Sequence, residues 1–282
     1  MTLTTILKLG RVSNLPTVWT NLLAGAALTG HAFGYGPMIL AGLALSAFYV
    51  GGMWLNDAFD AEIDAKERAA RPIPQGEIAR GAVFVVGFAL LALGLVLAVL
   101  AEEGAGVVGV ALAVSVLAYD GLHKKTVLAP VIMGITRVLC YVMGAMAVGT
   151  GPSDEVQLGA LGLFAWVVGL TYAAKQEAYD RLERAWPLAV LAVPALLPLL
   201  WAVEAPMLLA PWIAMLAVMA GALRLLFRRA PGDVPKAVVT LIAGMSLYDA
   251  VMITAAGAPL LAVLAALGFG LTLALQRFAP GT

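Results

Sequence analysis

Asn56, Asp57, Asp60 and Asp64 lie in a stretch that reads WLNDAFDAEIDAKERAARPIPQG. Asn56, Asp60 and Asp64 are spaced four apart and Asp57 precedes Asp60 by three, so in a helix all four share one face. Hard oxygen donors grouped where an apolar helix ends are the set that Mg2+ takes, usually together with phosphate oxygens of a substrate. Arg68, Arg71 and the stiff Pro72-Ile73-Pro74 turn follow. They place guanidinium groups, whose planar fork matches phosphate, beside the same carboxylates. Carboxylates for a metal next to arginines for phosphate imply a diphosphate ligand.

Two further charged segments invite the same question. Tyr119, Asp120, His123, Lys124 and Lys125 follow an apolar run. They read equally as an anion-binding group or as orienting lysines with an interfacial tyrosine. With no second His or Cys nearby, His123 reads as a surface side chain and not a metal ligand; His31 reads as inert. In Lys175, Gln176, Glu177, Asp180, Arg181, Glu183 and Arg184, the three acids recur every third residue. Such a strip would hold a second Mg2+. Alternatively it is an exposed helix end laced with pairs such as Glu177 with Arg181 and Asp180 with Arg184. Arg137 and Asp249 fall inside apolar runs, roughly 14 Å and 18 Å from one face at helical rise. Ionisable groups at that depth are functional candidates. They are expected to pair or to line a polar cavity, with Asn21 joining them.

These residues must be positioned by membrane helices. The chain has 282 residues, of which 62% are hydrophobic and 12% charged, with a mean hydropathy of +0.96. That composition excludes an ordinary soluble domain. Apolar stretches long enough to span fall at 15–33, 38–56, 81–101, 104–121, 128–149, 156–175, 186–203, 206–227, 236–256 and 258–276. The odd-numbered connections carry Glu102, Glu103, Asp154, Glu155 and Glu204 and no Lys or Arg. The even-numbered connections, the span ends that border them and the two termini hold sixteen of the seventeen basic residues, all but Arg137. Basic residues stay on the cytoplasmic side, so both termini and every chemically rich segment are expected there. Cytoplasmic connections are usually basic, which sets the acids of 56–64 apart from a merely solvated linker. Ten spans keep the alternation intact, and a nine-span alternative would fuse the last two across Gly257-Ala258-Pro259. Lys8 and Arg11 precede an apolar run to Ala27 without a short hydrophobic core and cleavage site, so it reads as a membrane helix and not a signal peptide. Thirty Gly fit close helix packing in lipid. Cys140 reads as a buried thiol. One membrane-embedded domain over 1–282 is expected, with no nucleic-acid partner and no obligate protein partner.

The stretch NDAFDAEIDAKERAARPIPQG resembles the first signature of the UbiA superfamily of intramembrane prenyltransferases, through Asn56, Asp57, Asp60, Asp64 and Arg71-Pro72-Ile73-Pro74. Tyr119 with Lys124 resembles that family's diphosphate-contacting pair, and Arg137 lies where the family often has an Arg. KQEAYDRLERAW departs from the family's second Asp-rich motif and is most similar to a branch called EboC-like. The resemblance implies an all-α, polytopic, UbiA-like bundle in a bacterial inner (cytoplasmic) membrane. It implies Mg2+-dependent transfer of a prenyl group from a prenyl diphosphate to an aromatic or other electron-rich lipophilic acceptor. Asn56, Asp57, Asp60, Asp64, Glu177 and Asp180 would hold Mg2+. Asn21, Asn56, Arg71, Tyr119, Lys124, Arg137 and Lys175 would bind substrate, with Asp60, Asp64, Lys124 and Arg137 catalytic. A non-catalytic binder or transporter of isoprenoid lipids on the same scaffold is the alternative. A small-solute transporter would need more charge at mid-membrane than Arg137 and Asp249 supply.

Overall fold

A computed structural model describes residues 2–32, 34–124, 126–175, 185–228 and 230–278, and the described residues form helices and turns with no strand. In order they are α1 (Leu3–Leu9), α2 (Leu15–Ala27), α3 (Tyr35–Glu67), α4 (Arg80–Ala101), α5 (Glu103–Leu122), α6 (Ala129–Ala147), α7 (Asp154–Lys175), α8 (Ala192–Leu196), α9 (Leu209–Arg228), α10 (Asp233–Ala255) and α11 (Pro259–Gln276). Among the described residues eight helical stretches are long and apolar enough to cross a membrane: α3 to α7, α9 with the Pro206–Leu208 turn ahead of it, α10 and α11. The protein is an all-helical, multi-pass integral membrane protein.

The expected spans from 81 onward coincide with single helices to within three residues, except 186–203. That stretch is a broken run, 3-10 over Trp186–Leu191, α8, then 3-10 over Leu197–Leu200. Pro187, Pro194 and Pro198 explain it, since each removes a backbone donor and crowds the preceding turn. The expected span 15–33 is α-helical only to Ala27 and turns at Gly30, whose φ of 71° is left-handed. The expected span 38–56 lies inside a helix of 33 residues. At 1.5 Å per residue α3 is about 50 Å long, well beyond the hydrocarbon thickness. It continues past Asn56 because Ala58, Ala61, Glu62, Ala65, Lys66 and Glu67 favour helix and no Gly or Pro intervenes. It stops at Arg68, whose N–H closes on the Asp64 carbonyl at 2.8 Å. Pro72 then disfavours helical geometry at Arg71.

Burial separates inner from outer helices. The apolar window of α10 is 83% buried, against 28% for α4 and 22% for α11. On the outer helices Val85, Phe88, Val96, Val263, Leu264 and Leu267 are exposed, as a lipid-facing surface requires. Trp166, Tyr141 and Tyr248 anchor the core of α6, α7 and α10, while Phe48, Leu45 and Met143 anchor that of α2 to α6.

The α2–α6 contact binds these two halves together. A Cβ on Gly25 would collide with the backbone of Tyr141, and one on Gly144 with the backbone of Leu22 and Ala26. The two helices therefore touch main chain to main chain, the close approach that small residues permit in lipid. Asn21 is one turn from Gly25, and Arg137 one turn from Tyr141, so the contact also sets how near those two side chains come. Gly25→Ala and Gly144→Ala should each lower the thermal midpoint of the purified protein in detergent, equivalent to about 1–3 kcal/mol of overpacking. Gly81→Ala should leave it unchanged or slightly raised, because a Cβ there meets nothing within 4 Å.

Candidate functional site

The acidic face of α3 turns inward: Asn56, Asp57, Asp60 and Asp64 are all buried. Each acid is matched by a base from another stretch of chain. Asp57 Oδ1 accepts from Arg11 Nη2 at 3.0 Å and from Arg71 Nη1. Arg71 Nε lies 3.9 Å from Asp64 Oδ2. Asp60 Oδ2 meets His123 Nε2 at 3.1 Å and Lys124 Nζ at 3.8 Å. Asn56 Nδ2 donates to Asp120 Oδ1 at 3.1 Å, and Arg11 Nη2 donates back to Asn56 Oδ1 at 3.4 Å. The row anticipated from spacing is therefore real. Its partners come from the segment before α2, the loop after α3 and the end of α5.

Electrostatics at the two arginines follow from this crowding. Burial works against the charge of Arg11, but Asp57 and its other neighbours outweigh it and raise its pKa. At Arg71 burial, and then the neighbouring Arg11, hold the guanidinium below its ordinary value, against the support of Asp57 and Asp64. Arg11 also adopts a left-handed backbone, φ 43°, rare for a residue with a side chain. That turn is what carries the guanidinium back onto α3.

His123 is not the surface side chain that its isolation in sequence implied. Its ring stacks on Tyr119, with centroids 5.0 Å apart. Nδ1 faces the Tyr119 carbonyl at 3.2 Å while Nε2 faces Asp60. Arg11 escapes sequence reasoning altogether, and Asp120 is singled out there only within its segment, with no role of its own at the site. Nothing local marks Arg11, because α1 and the turn after it bring it to α3. Asp120 did carry a signal, an acid one turn inside an apolar helix end. Its Oδ2 is buried with no hydrogen-bond partner among the described residues.

A pocket with a cavity volume of about 60 Å³ adjoins the row. Its walls are Val18 of α2, Leu45 to Met53 of α3, Leu112 to Asp120 of α5 and Met133 to Cys140 of α6. Along α3 it reaches from Met53 to Leu45, about 12 Å at helical rise. The lining is apolar except near Tyr49, Tyr119, Asp120, Thr136 and Arg137, the pattern of a site for an apolar ligand with a polar head.

Arg137 and Asp249 do not pair. Asn21 stands between them, accepting from Arg137 Nη1 at 3.0 Å and donating to Asp249 Oδ2 at 2.7 Å. Arg137 also donates to Thr17 at 3.2 Å and lies 5.8 Å from the centre of the Tyr49 ring. Lys175 is held apart from the acids, its Nζ donating to the Thr126 carbonyl at 3.0 Å. Glu177, Asp180 and Glu183 lie outside the described residues. Among the described residues no three of His, Cys, Asp and Glu converge as a metal cage; Asp57, Asp60 and Asp64 each face a basic side chain instead.

Comparison with known proteins agrees with this architecture. The model of the UbiA prenyltransferase family matches residues 15–248. A digeranylgeranylglyceryl phosphate synthase from Ignicoccus hospitalis is 34% identical over 120 residues, 43% of this chain and 39% of that protein. The chain thus matches less than half the length of that curated relative. Among solved structures, a UbiA homologue from Aeropyrum pernix K1 has a TM-score of 0.65 at 20% identity, covering 86% of this chain and 96% of that one. A UbiA homologue from Archaeoglobus fulgidus bound to GPP and Mg2+ has a TM-score of 0.58 at 14% identity, covering 97% and 99%. With a family model spanning most of the chain and a shared fold throughout, the protein belongs to the UbiA prenyltransferase family.

Proposed function

We propose that the protein transfers a prenyl group from a prenyl diphosphate to a lipophilic acceptor, with Mg2+, as one membrane-embedded domain. The observation that carries this reading is the buried acidic row of α3, interleaved with Arg11, Arg71 and Lys124, at the polar end of an apolar pocket. The homologue from Archaeoglobus fulgidus, bound to GPP and Mg2+, supports the same ligand class.

The donor set fits a hard divalent cation. Asn56, Asp57, Asp60 and Asp64 offer oxygens, and the partnerless Asp120 Oδ2 beside Asn56 is a buried oxygen in want of a cation. No full protein cage is needed, because Mg2+ commonly takes one or two carboxylates and completes its shell with water and phosphate. When bound, Mg2+ would neutralise charge growing on the leaving diphosphate. Glu177 and Asp180 are assigned a second cation on the strength of sequence.

The chain's own residues supply the rest. Arg71, Lys124 and Arg137 bind diphosphate oxygens, with Tyr119 and Lys175 nearby, and Asn21 and Asn56 orient the charged groups. Arg71 and Lys124 rest on Asp57 and Asp60 until a diphosphate competes for them. The allylic C–O bond breaks with its electron pair leaving on the diphosphate, and the pocket keeps water from the allylic cation. The acceptor's nucleophilic atom then bonds to the freed carbon and releases a proton. The relatives named digeranylgeranylglyceryl phosphate synthase support an acceptor bearing a glyceryl phosphate, alongside aromatic ones. Arg11, Arg71, Lys124 and Lys175 gather at one end of the bundle, which supports a cytoplasmic site on a cytoplasmic membrane.

Asp60→Ala should cut Mg2+-dependent diphosphate release by about 100-fold or more while the protein still purifies from membranes as a folded species. Release of diphosphate at the wild-type rate would overturn the reading. Binding without turnover in the wild-type chain would instead identify a binder of isoprenoid diphosphates. Asp57→Ala, which takes the ion-pair partner from Arg11 and leaves Arg71 only the longer contact with Asp64, should lower stability by about 1–3 kcal/mol. Glu62→Ala, which breaks the exposed pair with Arg80, should cost no more than about 0.5 kcal/mol. Thermal melts of the ligand-free protein compare the two.

A further inference from the structure

Asp249 is a fully buried carboxylate for which the proposed reaction has no use. It sits on α10, the most enclosed helix, and three donors from two other helices converge on it. Thr20 Oγ1 and Asn21 Nδ2 of α2 donate to Oδ2, at 2.6 and 2.7 Å, and the Tyr141 hydroxyl of α6 donates to Oδ1 at 2.6 Å. The Asn21 amide is shared between this acid and the pocket, because its Oδ1 accepts from Arg137. Chemistry alone dictates which way that amide points. A carboxylate only accepts and a guanidinium only donates, so a reversed amide would lose both bonds and set donor against donor. Arg137 has no ion-pair partner among the described residues, and it lines the pocket.

We infer that Asp249 is a positioning residue: by orienting the Asn21 amide it holds the Arg137 guanidinium at the pocket wall, ready for the anionic head of a ligand. The inference rests on the prenyl diphosphate reading above. A network that merely tied α2, α6 and α10 together would use the same bonds, but it would not couple Asp249 to ligand affinity through Arg137 alone. Asp249→Asn keeps the volume and gives position 249 a donor. The new amide can donate to Asn21 Oδ1, which turns the Asn21 amine toward Arg137 and drives the guanidinium off the wall.

The test is a double-mutant cycle on the full chain in detergent micelles, reading the Kd for geranyl diphosphate with Mg2+ by calorimetry. Asp249→Asn should weaken binding about tenfold in the wild-type background. In an Arg137→Gln background it should add less than about twofold, since the group it positions is already gone. An equal loss in both backgrounds, or an unchanged Kd in the wild-type background, overturns the inference while leaving the diphosphate reading intact. If Asp249→Asn does not fold, Asn21→Ala carries the same expectation, because it cuts the bridge and leaves Asp249 its bonds to Thr20 and Tyr141. A wild-type chain that binds no geranyl diphosphate overturns both the inference and the reading beneath it.

Discussion

A carboxylate removed from water costs several kcal/mol unless a cation and hydrogen bonds accompany it. Beside hydrocarbon there is no solvent to make up the shortfall. That constraint governs the charged end of this bundle. Asp57 draws in Arg11 from ahead of α2 and Arg71 from beyond α3, and Asp60 draws in His123 and Lys124 from the end of α5. Stretches of chain far apart in sequence are thereby pinned to one face of one helix. The left-handed backbone at Arg11 belongs to the same account, a local strain of about 1 kcal/mol or more offset by a charge pair that cannot be made otherwise.

The middle of the membrane solves the same problem differently. Asp249 is surrounded by neutral donors, and Arg137 by neutral acceptors, with one amide serving both. Keeping the two charges apart leaves the guanidinium open toward the pocket, where a direct pair would have closed it off. The arrangement depends on main-chain contact between α2 and α6 at Gly25 and Gly144.

Much of this was legible in the sequence because membrane helices write themselves in long apolar runs, and because Asn56, Asp57, Asp60 and Asp64 share a helical face whatever surrounds them. The nearness of Arg71 could be anticipated from the short Pro72-Ile73-Pro74 turn, whereas the inward aim of the face could not, because spacing does not say which way a face points. Arg11 could not, because only the return of α1 onto α3 brings it near. His123 was misread since stacking on Tyr119 and contact with Asp60 depend on how α5 ends, which spacing does not encode. Pro187, Pro194 and Pro198 were visible, but hydropathy outweighed them in reading 186–203 as one span. Asn21 was rightly grouped with Arg137 and Asp249, and its place between them required the helices to be set side by side.

The length of α3 fixes a distance. A single unbroken helix carries both the wall of the pocket, from Leu45 to Met53, and the acidic row, from Asn56 to Asp64. The row and the far end of the pocket are thus graduations on one rigid ruler, and thermal motion of loops cannot lengthen the distance between them. A ligand gripped by its head at the row meets Leu45 and Phe48 at a set depth. A tail longer than that depth has to bend aside between helices, so discrimination by length would be decided by the side chains around Leu45 and Phe48 and would be insensitive to changes at the head.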